Sequence, residues 1–275
     1  MTRRRTFKEV MVYVIVILLA IIILFPIYWM FLTSLKTKTE VYSAPNFVPT
    51  KFYFKNYTEP FFNGEMGGYL LNSVLISSFN ALLVLALAIP ATYAFSRFKV
   101  YGAKHIFFWM ITNRMAPPAA FLLPMFLIFS ALHLLDTHIA LVLVYCGFNL
   151  PFAVWLLKGM IDNIPRELDD AALIDGCSMW GVLGRVIIPL SKPGIAVTGL
   201  LTWLFSWNHY LFAFMLTNTN ARTITTGLAE YVTVMGINWG QMAAVSMVTM
   251  FPAFILVSFA QKYIVSGLTF GAVKE

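Results

Sequence analysis

Long uncharged runs alternate with short polar segments along the whole chain, and this pattern is the main evidence for its architecture. A helix that crosses a bilayer needs about 20 predominantly apolar residues. The pattern predicts about six such helices, over residues 10–32, 69–95, 106–135, 139–157, 194–217 and 241–260. We therefore expect an all-α, polytopic membrane protein.

The composition agrees with this pattern. The chain is 60% hydrophobic and 11% charged, whereas a soluble domain has roughly 25% charged residues. Because the predicted helices use most of the 275 residues, we expect one transmembrane domain over residues 1–275. The basic N-terminus resembles that of a signal peptide, but the apolar run that follows is too long, so we expect an uncleaved first helix.

The third run, over residues 106–135, contains both prolines and an arginine. Pro117, Pro118 and Pro124 predict a broken or bent helix. Arg114 costs about 2.5–3.5 kcal/mol at a helix centre, so we expect it to face a cavity or a carboxylate. Two interpretations remain open: Arg114, beside Asn113, belongs to a pathway or gate, or it pairs or snorkels for purely structural reasons.

The distribution of positive charge predicts the orientation in the membrane. Six helices place both termini on one side, and 13 of the 19 Lys and Arg residues then lie on that side, with five on the other. The positive-inside rule makes the richer side cytoplasmic. We expect a multi-pass membrane protein with both termini in the cytoplasm. The same rule accounts for the net charge of +7, so we expect lipid and not nucleic acid as the surroundings.

One long segment in the middle of the chain, residues 158–193, has the composition of a loop in water. Pro165 fits a first helical turn, and Gly176 fits a helix end, after which Ser178 can cap a second short helix. The i, i+3, i+4, i+7 spacing predicts that Leu168, Ala171, Ala172 and Asp175 share one face. A knob inserted into a partner protein and a helix lying at the lipid interface fit this segment equally well.

The spacing within this segment carries a family resemblance. Asp170-Ala171-Ala172 is followed after three residues by Gly176, and after nine more by Val186-Ile187-Ile188-Pro189. This resembles the signature loop of ABC importer permeases, in which Glu stands where this chain has Asp170. Trp207-Asn208 and the tail over residues 267–274 resemble the carbohydrate-uptake branch, particularly the smaller subunit of maltose-type permeases.

The resemblance implies a type I ABC importer permease fold, a location in a bacterial or archaeal cytoplasmic (inner) membrane, and a set of partners. Such a permease pairs with a second permease subunit, here in a heterodimer. Two ATPase subunits, which bind ATP and Mg, dock beneath, and an external binding protein delivers the substrate. The resemblance also implies that the loop seats in an ATPase cleft and couples ATP hydrolysis to alternating access, through Leu168, Asp170, Ala171, Ala172, Asp175, Gly176 and Pro189.

The motifs of an enzyme are missing from the sequence. There is no G-x-x-x-x-G-K-[ST], so ATP hydrolysis needs another polypeptide. There is no H-E-x-x-H or G-x-S-x-G, and the four histidines have no metal-ligand spacing. We expect a non-catalytic permease subunit without catalytic residues, a metal site or a cofactor of its own.

A second set of residues could line a sugar pathway. Trp203, Trp207, Asn208 and His209 combine aromatic faces with polar groups that can bind sugar hydroxyls. Ordinary packing at the membrane interface explains the same residue types. The carried substrate could be a sugar, an oligosaccharide, a sugar alcohol or a glycerol-like polyol.

Two other classes compete with an ATP-driven importer. An ATP-independent secondary transporter or channel predicts carboxylates or a proton relay within the membrane, and the apolar runs contain none. A non-transporting membrane scaffold would have no need of a bent third helix and a membrane arginine.

Overall fold

The computed structural model describes residues 2–43, 45–234 and 236–269, without the side chains of residues 2–7, 113–114 and 264–269. Helices dominate these residues, and the one β-hairpin among them consists of two short strands. The tail over residues 267–274, which carries part of the family resemblance, extends beyond the described residues.

The helices follow the hydrophobic pattern of the chain. The long ones are α1 (Thr2–Ser34), α4 (Met66–Arg97), α7 (His138–Ile161), α11 (Lys192–Trp207) and α14 (Trp239–Thr269). Those of intermediate length are α5 (Ala103–Met115), α6 (Leu122–Ala131) and α8 (Glu167–Ile174). The short ones are α2 (Lys38–Val41), α3 (Lys55–Thr58), α9 (Met179–Val182), α10 (Ile188–Leu190), α12 (Leu211–Leu216) and α13 (Ile224–Ala229).

Irregular helical turns and the hairpin complete the described chain. The π-helical turns are Glu59–Asn63 and Leu183–Ile187, and a 3-10 turn covers Pro118–Phe121. The strands β1 (Val232–Thr233) and β2 (Gly236–Ile237) pair antiparallel, with Val232 opposite Ile237.

The length and apolarity of the helices confirm the predicted all-α, polytopic fold. Four described helices, α1, α4, α7 and α14, are long and apolar enough to cross a membrane. A fifth candidate is the pair Met179–Leu190 and Lys192–Trp207, which is bent by 80°. The stretch Pro118–Ala131 is apolar but shorter. A total of six crossings therefore stays a prediction.

Two of the predicted helices are interrupted. The third breaks between α5 and α6, as its prolines predict, since a proline ring at 117 or 118 cannot continue the helix. The predicted helix over 194–217 also divides, at residues 208–210, which the sequence pattern does not predict. Asn208 ends α11, and its Nδ2 donates to the carbonyl of Leu204 over 2.8 Å. This side-chain bond competes with continuation of the helix.

The chain divides into two compact units, residues 1–67 with 228–251 and residues 68–227 with 252–275. In the first unit, Asn56 is buried and its Nδ2 donates to the carbonyls of Ser34 and Lys36, over 2.9 and 2.8 Å. Because the last carbonyls of a helix lack partners within it, this amide caps the end of α1. The single domain over 1–275 stays a prediction.

The core of the second unit lies between α4, α7 and α11. Tight apolar contacts surround Val84 and Ala88 on α4 and Ala153, Val154 and Leu157 on α7, all of which are fully buried. A further apolar cluster joins the C-terminal end of α4 to the end of α7 and the segment after it, through Tyr93, Ile161, Ala172, Val182, Leu183 and Ile187. This cluster holds the predicted coupling loop against the helical core.

Candidate functional site

The first half of the loop is the helix α8, which begins directly after Pro165 and Arg166. Its first turn contains Glu167, Asp169 and Asp170. Negative side chains at this position interact favourably with the positive end of the helix dipole. The predicted acidic first turn is therefore confirmed, whereas Pro165 lies just before the N-cap residue Arg166 and not in the first turn.

Gly176 ends α8, as the sequence predicts. Its φ of +84° lies in the left-handed region, where a side chain would be strained. The N–H of Gly176 donates to the carbonyl of Leu173 over 3.0 Å, and that of Cys177 to the carbonyl of Ala172 over 2.9 Å. This pair of bonds is the Schellman motif, which satisfies the free carbonyls at a helix end.

The second half of the loop returns the chain to the membrane. Ser178 caps α9, as predicted, because its Oγ accepts the N–H of Gly181 over 3.2 Å. The chain continues through the π-turn Leu183–Ile187, which buries Leu183 and Ile187, and then through α10. Pro189 lies in the first turn of α10 and is exposed.

The exposed surface of the loop is partly apolar. Of the predicted coupling residues, Leu168, Asp170, Ala171, Asp175, Gly176 and Pro189 are exposed. Ile174 and Trp180, which sequence reasoning did not select, are exposed over 86% and 74% of their surface. Large exposed apolar side chains are typical of a surface that binds another protein or a membrane.

The predicted place of Ala172 on the exposed face of α8 is wrong, while its role in coupling stays a prediction. Its side chain is 9% exposed and packs in the cluster with Tyr93 and Val182, away from the exposed surface. A helix turns by about 100° per residue, so Asp169 and Ala172 share the inner side, and both are buried. The small side chain of Ala172 lets α8 approach its own protein closely, and not a partner.

A buried ion pair fastens α8 to α4. The Nε of Arg97 lies 2.6 Å from Oδ2 of Asp169, and the two side chains are only 7% and 9% exposed. Sequence reasoning missed this pair because its members are 72 residues apart. The nearest signals were the basic end of the second run and the acidic first turn of α8, and neither indicates contact between them.

Two of the predicted pathway residues, Trp203 and Trp207, lie in the interior of the structure. The rings of Trp203 and Trp207 are stacked, with centroids 4.7 Å apart, and both are buried. The Nε1 of Trp203 donates to Oγ of Ser78 over 3.2 Å. These contacts favour packing for the two tryptophans. Asn113 and Arg114 lie in α5, and their side chains are outside the described part of the structure.

Asn208 and His209 lie at the break between α11 and α12. Asn208 is exposed, while the ring of His209 stacks between Tyr145 and Phe212, at centroid distances of 4.9 and 5.2 Å. Non-helical backbone within an apolar run is tolerated where it is covered by protein or lines a cavity. Of the four residues predicted near 203–209, Asn208 is the one whose side chain is open to solvent or substrate.

A cavity of about 470 Å³ lies in the first unit. Its walls include Trp29, Lys36, Glu40, Tyr42 and Trp239. Of the pathway residues whose side chains the structure describes, none lines it. In the described part of the chain, no group of three or more His, Cys, Asp or Glu side chains is arranged to hold a metal ion.

The comparison with known families agrees with this architecture. Residues 85–269 match the family described as "Binding-protein-dependent transport system inner membrane component". Because the match covers well over half of the chain, the protein belongs to this family. It is therefore a membrane permease of a binding-protein-dependent importer, and the ATPase of such a system is a separate subunit.

Individual relatives extend over nearly the whole chain. The protein is 33% identical over 276 residues to the trehalose/maltose transport system permease protein MalG of Thermococcus litoralis, which covers 99% of both chains. It is 32% identical to the sulfoquinovosyl glycerol transport system permease protein SmoH of Agrobacterium fabrum, over 91% of this chain and 89% of SmoH. These matches confirm the resemblance to carbohydrate-uptake permeases.

A solved structure shows the same fold. A chain of a bacterial ABC transporter involved in the import of the acidic polysaccharide alginate superposes with a TM-score of 0.79 at 22% identity, over 95% of this chain and 98% of that one. At this identity the likeness supports the fold, which is that of a type I importer permease.

Proposed function

We propose that this chain is one permease subunit of an ATP-driven carbohydrate importer, in which a separate ATPase docks on the loop over residues 165–189. The ATPase binds ATP and Mg, and this chain binds neither. Closure of the ATPase dimer displaces α8, and the permease changes from inward-facing to outward-facing. A partner shifts such an equilibrium only through unequal affinity for the two states.

The exposed side of α8 is the observation that carries this proposal. Leu168, Asp170 and Ala171 lie in water on a helix whose opposite side is fastened to the permease core. Just beyond them are Ile174 and the sharp turn at Gly176. The same surface would also suit a helix lying on lipid. Two observations favour a protein partner. Carboxylates lie at the centre of this surface, and α8 is attached to α4 by fixed contacts.

The substrate is a sugar, an oligosaccharide or a sugar derivative with a polyol part. The relatives named for trehalose and maltose and for sulfoquinovosyl glycerol support this class. Asn208 at the break after α11 is the residue of this chain that we assign to the pathway. Its amide can donate to and accept from sugar hydroxyls.

A second permease subunit, in a heterodimer, and an external binding protein complete the system. The apolar stretch of α1 within Lys8–Ser34 has none of its residues buried in the described chain, so lipid or another subunit surrounds it. Both termini and the loop over 158–193 lie in the cytoplasm, as the distribution of Lys and Arg supports.

Reconstitution tests this proposal. The protein is purified from its native membrane with the subunits that accompany it and placed in vesicles with the external binding protein. Uptake of labelled maltose, trehalose, sulfoquinovosyl glycerol and glycerol is then measured. The proposal predicts uptake of at least one compound, only when the ATPase, ATP and Mg are present. Uptake by vesicles that lack any ATPase would identify a secondary transporter or channel and overturn it.

A further inference from the structure

We infer that Arg97 is a positioning residue, which joins α8 to the cytoplasmic end of α4 so that displacement of α8 moves this long apolar helix directly. The inference rests on the proposed docking of an ATPase on α8. To that proposal it adds the contacts through which a displacement of α8 is transmitted to the membrane helix α4. Without the Arg97 contacts, α8 would keep the hydrogen bond from Arg166 to Ser96 and the apolar contacts with Tyr93, but it would lose its ion pair with α4.

A side chain of α4 binds the loop that contains α8, and a side chain of this loop binds α4. From α4, Arg97 pairs with Asp169 at 2.6 Å, and its second guanidinium nitrogen donates to the carbonyl of Ile164 over 2.9 Å. From the loop, Arg166 donates to the carbonyl of Ser96 over 2.9 Å. Each element thus supplies an arginine that binds the backbone of the other. A guanidinium fork fixes direction as well as distance, which a single lysine contact does not.

The burial of the ion pair makes it a stiff connection. Both side chains are at least nine-tenths buried, and among the described residues Oδ1 of Asp169 has no hydrogen-bond partner. The charge of Asp169 therefore depends on Arg97 for its compensation. A buried ion left without its partner is strongly unfavourable, so α8 cannot leave α4 without a large loss of stabilisation.

Apolar contacts support the same connection one turn deeper. Tyr93, one helical turn before Arg97, packs in the cluster that contains Ala172 and Val182. The hydroxyl of Tyr93 lies 4.0 Å from the sulfur of Met179. The last turns of α4 thus present Tyr93, Ser96 and Arg97 together to the loop. Because this contact combines packing with an ion pair, α8 and the end of α4 move as one body.

A second ion pair near the same loop provides a matched control for the removal of the Arg97–Asp169 pair. Lys158 and Asp162 form this second pair, also at 2.6 Å, but at one helix end and with exposed fractions of 27% and 44%. Exposed pairs of this kind contribute little. Removal of that pair changes the same kinds of charge near the same loop without separating α8 from α4.

The test uses the assembled transporter in vesicles and the variants Arg97→Gln, Asp169→Asn, Arg97→Lys and the double exchange Arg97→Asp with Asp169→Arg. For each, we measure how much ATPase co-purifies and how much labelled substrate is imported per ATP hydrolysed. The substrate is the compound of the panel above that the wild type imports. The two single neutral variants are expected to lower import per ATP by about tenfold or more, while the exchange restores about half or more of it.

If Arg97→Gln and Asp169→Asn fail to fold, the milder variant Arg97→Lys still tests the inference. Arg97→Lys retains the charge but not the fork, so it is expected to fold and to show an intermediate import per ATP. Lys158→Ala with Asp162→Ala is expected to match the wild type. Amide hydrogen exchange over residues 164–176 of the permease is expected to quicken in Arg97→Gln and not in the control.

The outcomes separate the two proposals. If the wild-type permease binds no ATPase, the proposed function fails, whatever the variants do. If the ATPase binds and the folded Arg97 and Asp169 variants keep the wild-type import per ATP, the positioning role of Arg97 is overturned and the docking of the ATPase stands.

Discussion

Asn80 on α4 and Asn149 on α7 lie side by side in the apolar interior, where the Nδ2 of Asn149 donates to the Oδ1 of Asn80 over 3.0 Å. The Oγ of Ser206 on α11 donates to the same oxygen over 2.8 Å. The Nδ2 of Asn80 donates to the carbonyl of Val142. One buried amide therefore joins three apolar helices.

Replacement of this amide should loosen the three helices. Asn80→Leu removes the shared acceptor and leaves the groups of Asn149 and Ser206 without it in an apolar interior. We expect a loss of about 1–2 kcal/mol of stability, the range for polar contacts between membrane helices. Thermal unfolding of the purified protein in detergent measures this. The control, Asn163→Leu at an exposed position, should unfold at the wild-type temperature, and an equal effect of both would contradict the role of Asn80.

Gly176→Ala should weaken the end of α8. Nothing lies within 4 Å of an added Cβ, so the cost comes from the left-handed backbone and not from a clash. That cost is about 1–2 kcal/mol, and it falls on the turn at the end of α8, where we propose that the ATPase docks. We expect less ATPase to co-purify with the variant. Gly159→Ala, in a regular helix with equal free space, should have no such effect.

The local chemistry of the loop is readable from the sequence, but its tertiary contacts are not. The helix end at Gly176 and the cap at Ser178 depend on residues within a few positions, and both predictions are confirmed. The inward direction of Ala172 depends on what packs against α8. The partner of Asp169 comes from a helix 72 residues away. The hydropathy pattern of the sequence predicts neither the contact between these two residues nor their burial.

The same limit applies to the break after α11. The run over 194–217 contains no Asp, Glu, Lys or Arg, and the residues around the break contain neither Gly nor Pro. Helix α11 ends because the Asn208 side chain bonds the carbonyl of Leu204 and because the ring of His209 stacks on Tyr145 of α7. Such side-chain competition with a helix depends on tertiary contacts. The pattern of prolines, in contrast, was sufficient to predict the break in the third run.

Asp136 should hold the segment after α12 in place. Its carboxylate accepts the backbone N–H groups of residues 218–221 over 2.9–3.2 Å. Burial by itself raises the pKa of this carboxyl, but the N–H groups of Asn220, Asn218 and Ala221 and the hydroxyl of Thr219 together lower it well below the usual range. Asp136→Asn removes the charge that these donors stabilise, and we expect a loss of about 2 kcal/mol at neutral pH.

The pH dependence of this effect has a defined sign. Because the folded-state pKa is lowered, the contribution of Asp136 is fully present above the ordinary aspartate pKa of about 4 and fades as the pH falls below it. The difference in unfolding temperature between wild type and Asp136→Asn should therefore be larger at neutral pH than under acidic conditions. A difference that grows on acidification would contradict this account of Asp136.

The orientation in the membrane can be tested at two highly exposed residues. Phe62 and Trp180 are 84% and 74% exposed, and the distribution of charge places them on opposite sides of the membrane. In a Cys177→Ser background, an impermeant maleimide added to intact cells should label Phe62→Cys and not Trp180→Cys. Inside-out vesicles should give the reverse result. Labelling of Trp180→Cys in intact cells would place the loop outside and exclude a cytoplasmic partner.

The most direct test of the central claim is a photo-crosslink from Ile174 in the assembled transporter. Ile174 lies at the end of α8 and is 86% exposed, so a photoreactive residue at this position should not disturb the fold. The proposed docking predicts a covalent product that contains this chain and the ATPase subunit. The same photoreactive residue at Phe62 should give no such product. Absence of the ATPase from the Ile174 product, in vesicles whose uptake requires ATP, would contradict the docking of the ATPase on α8.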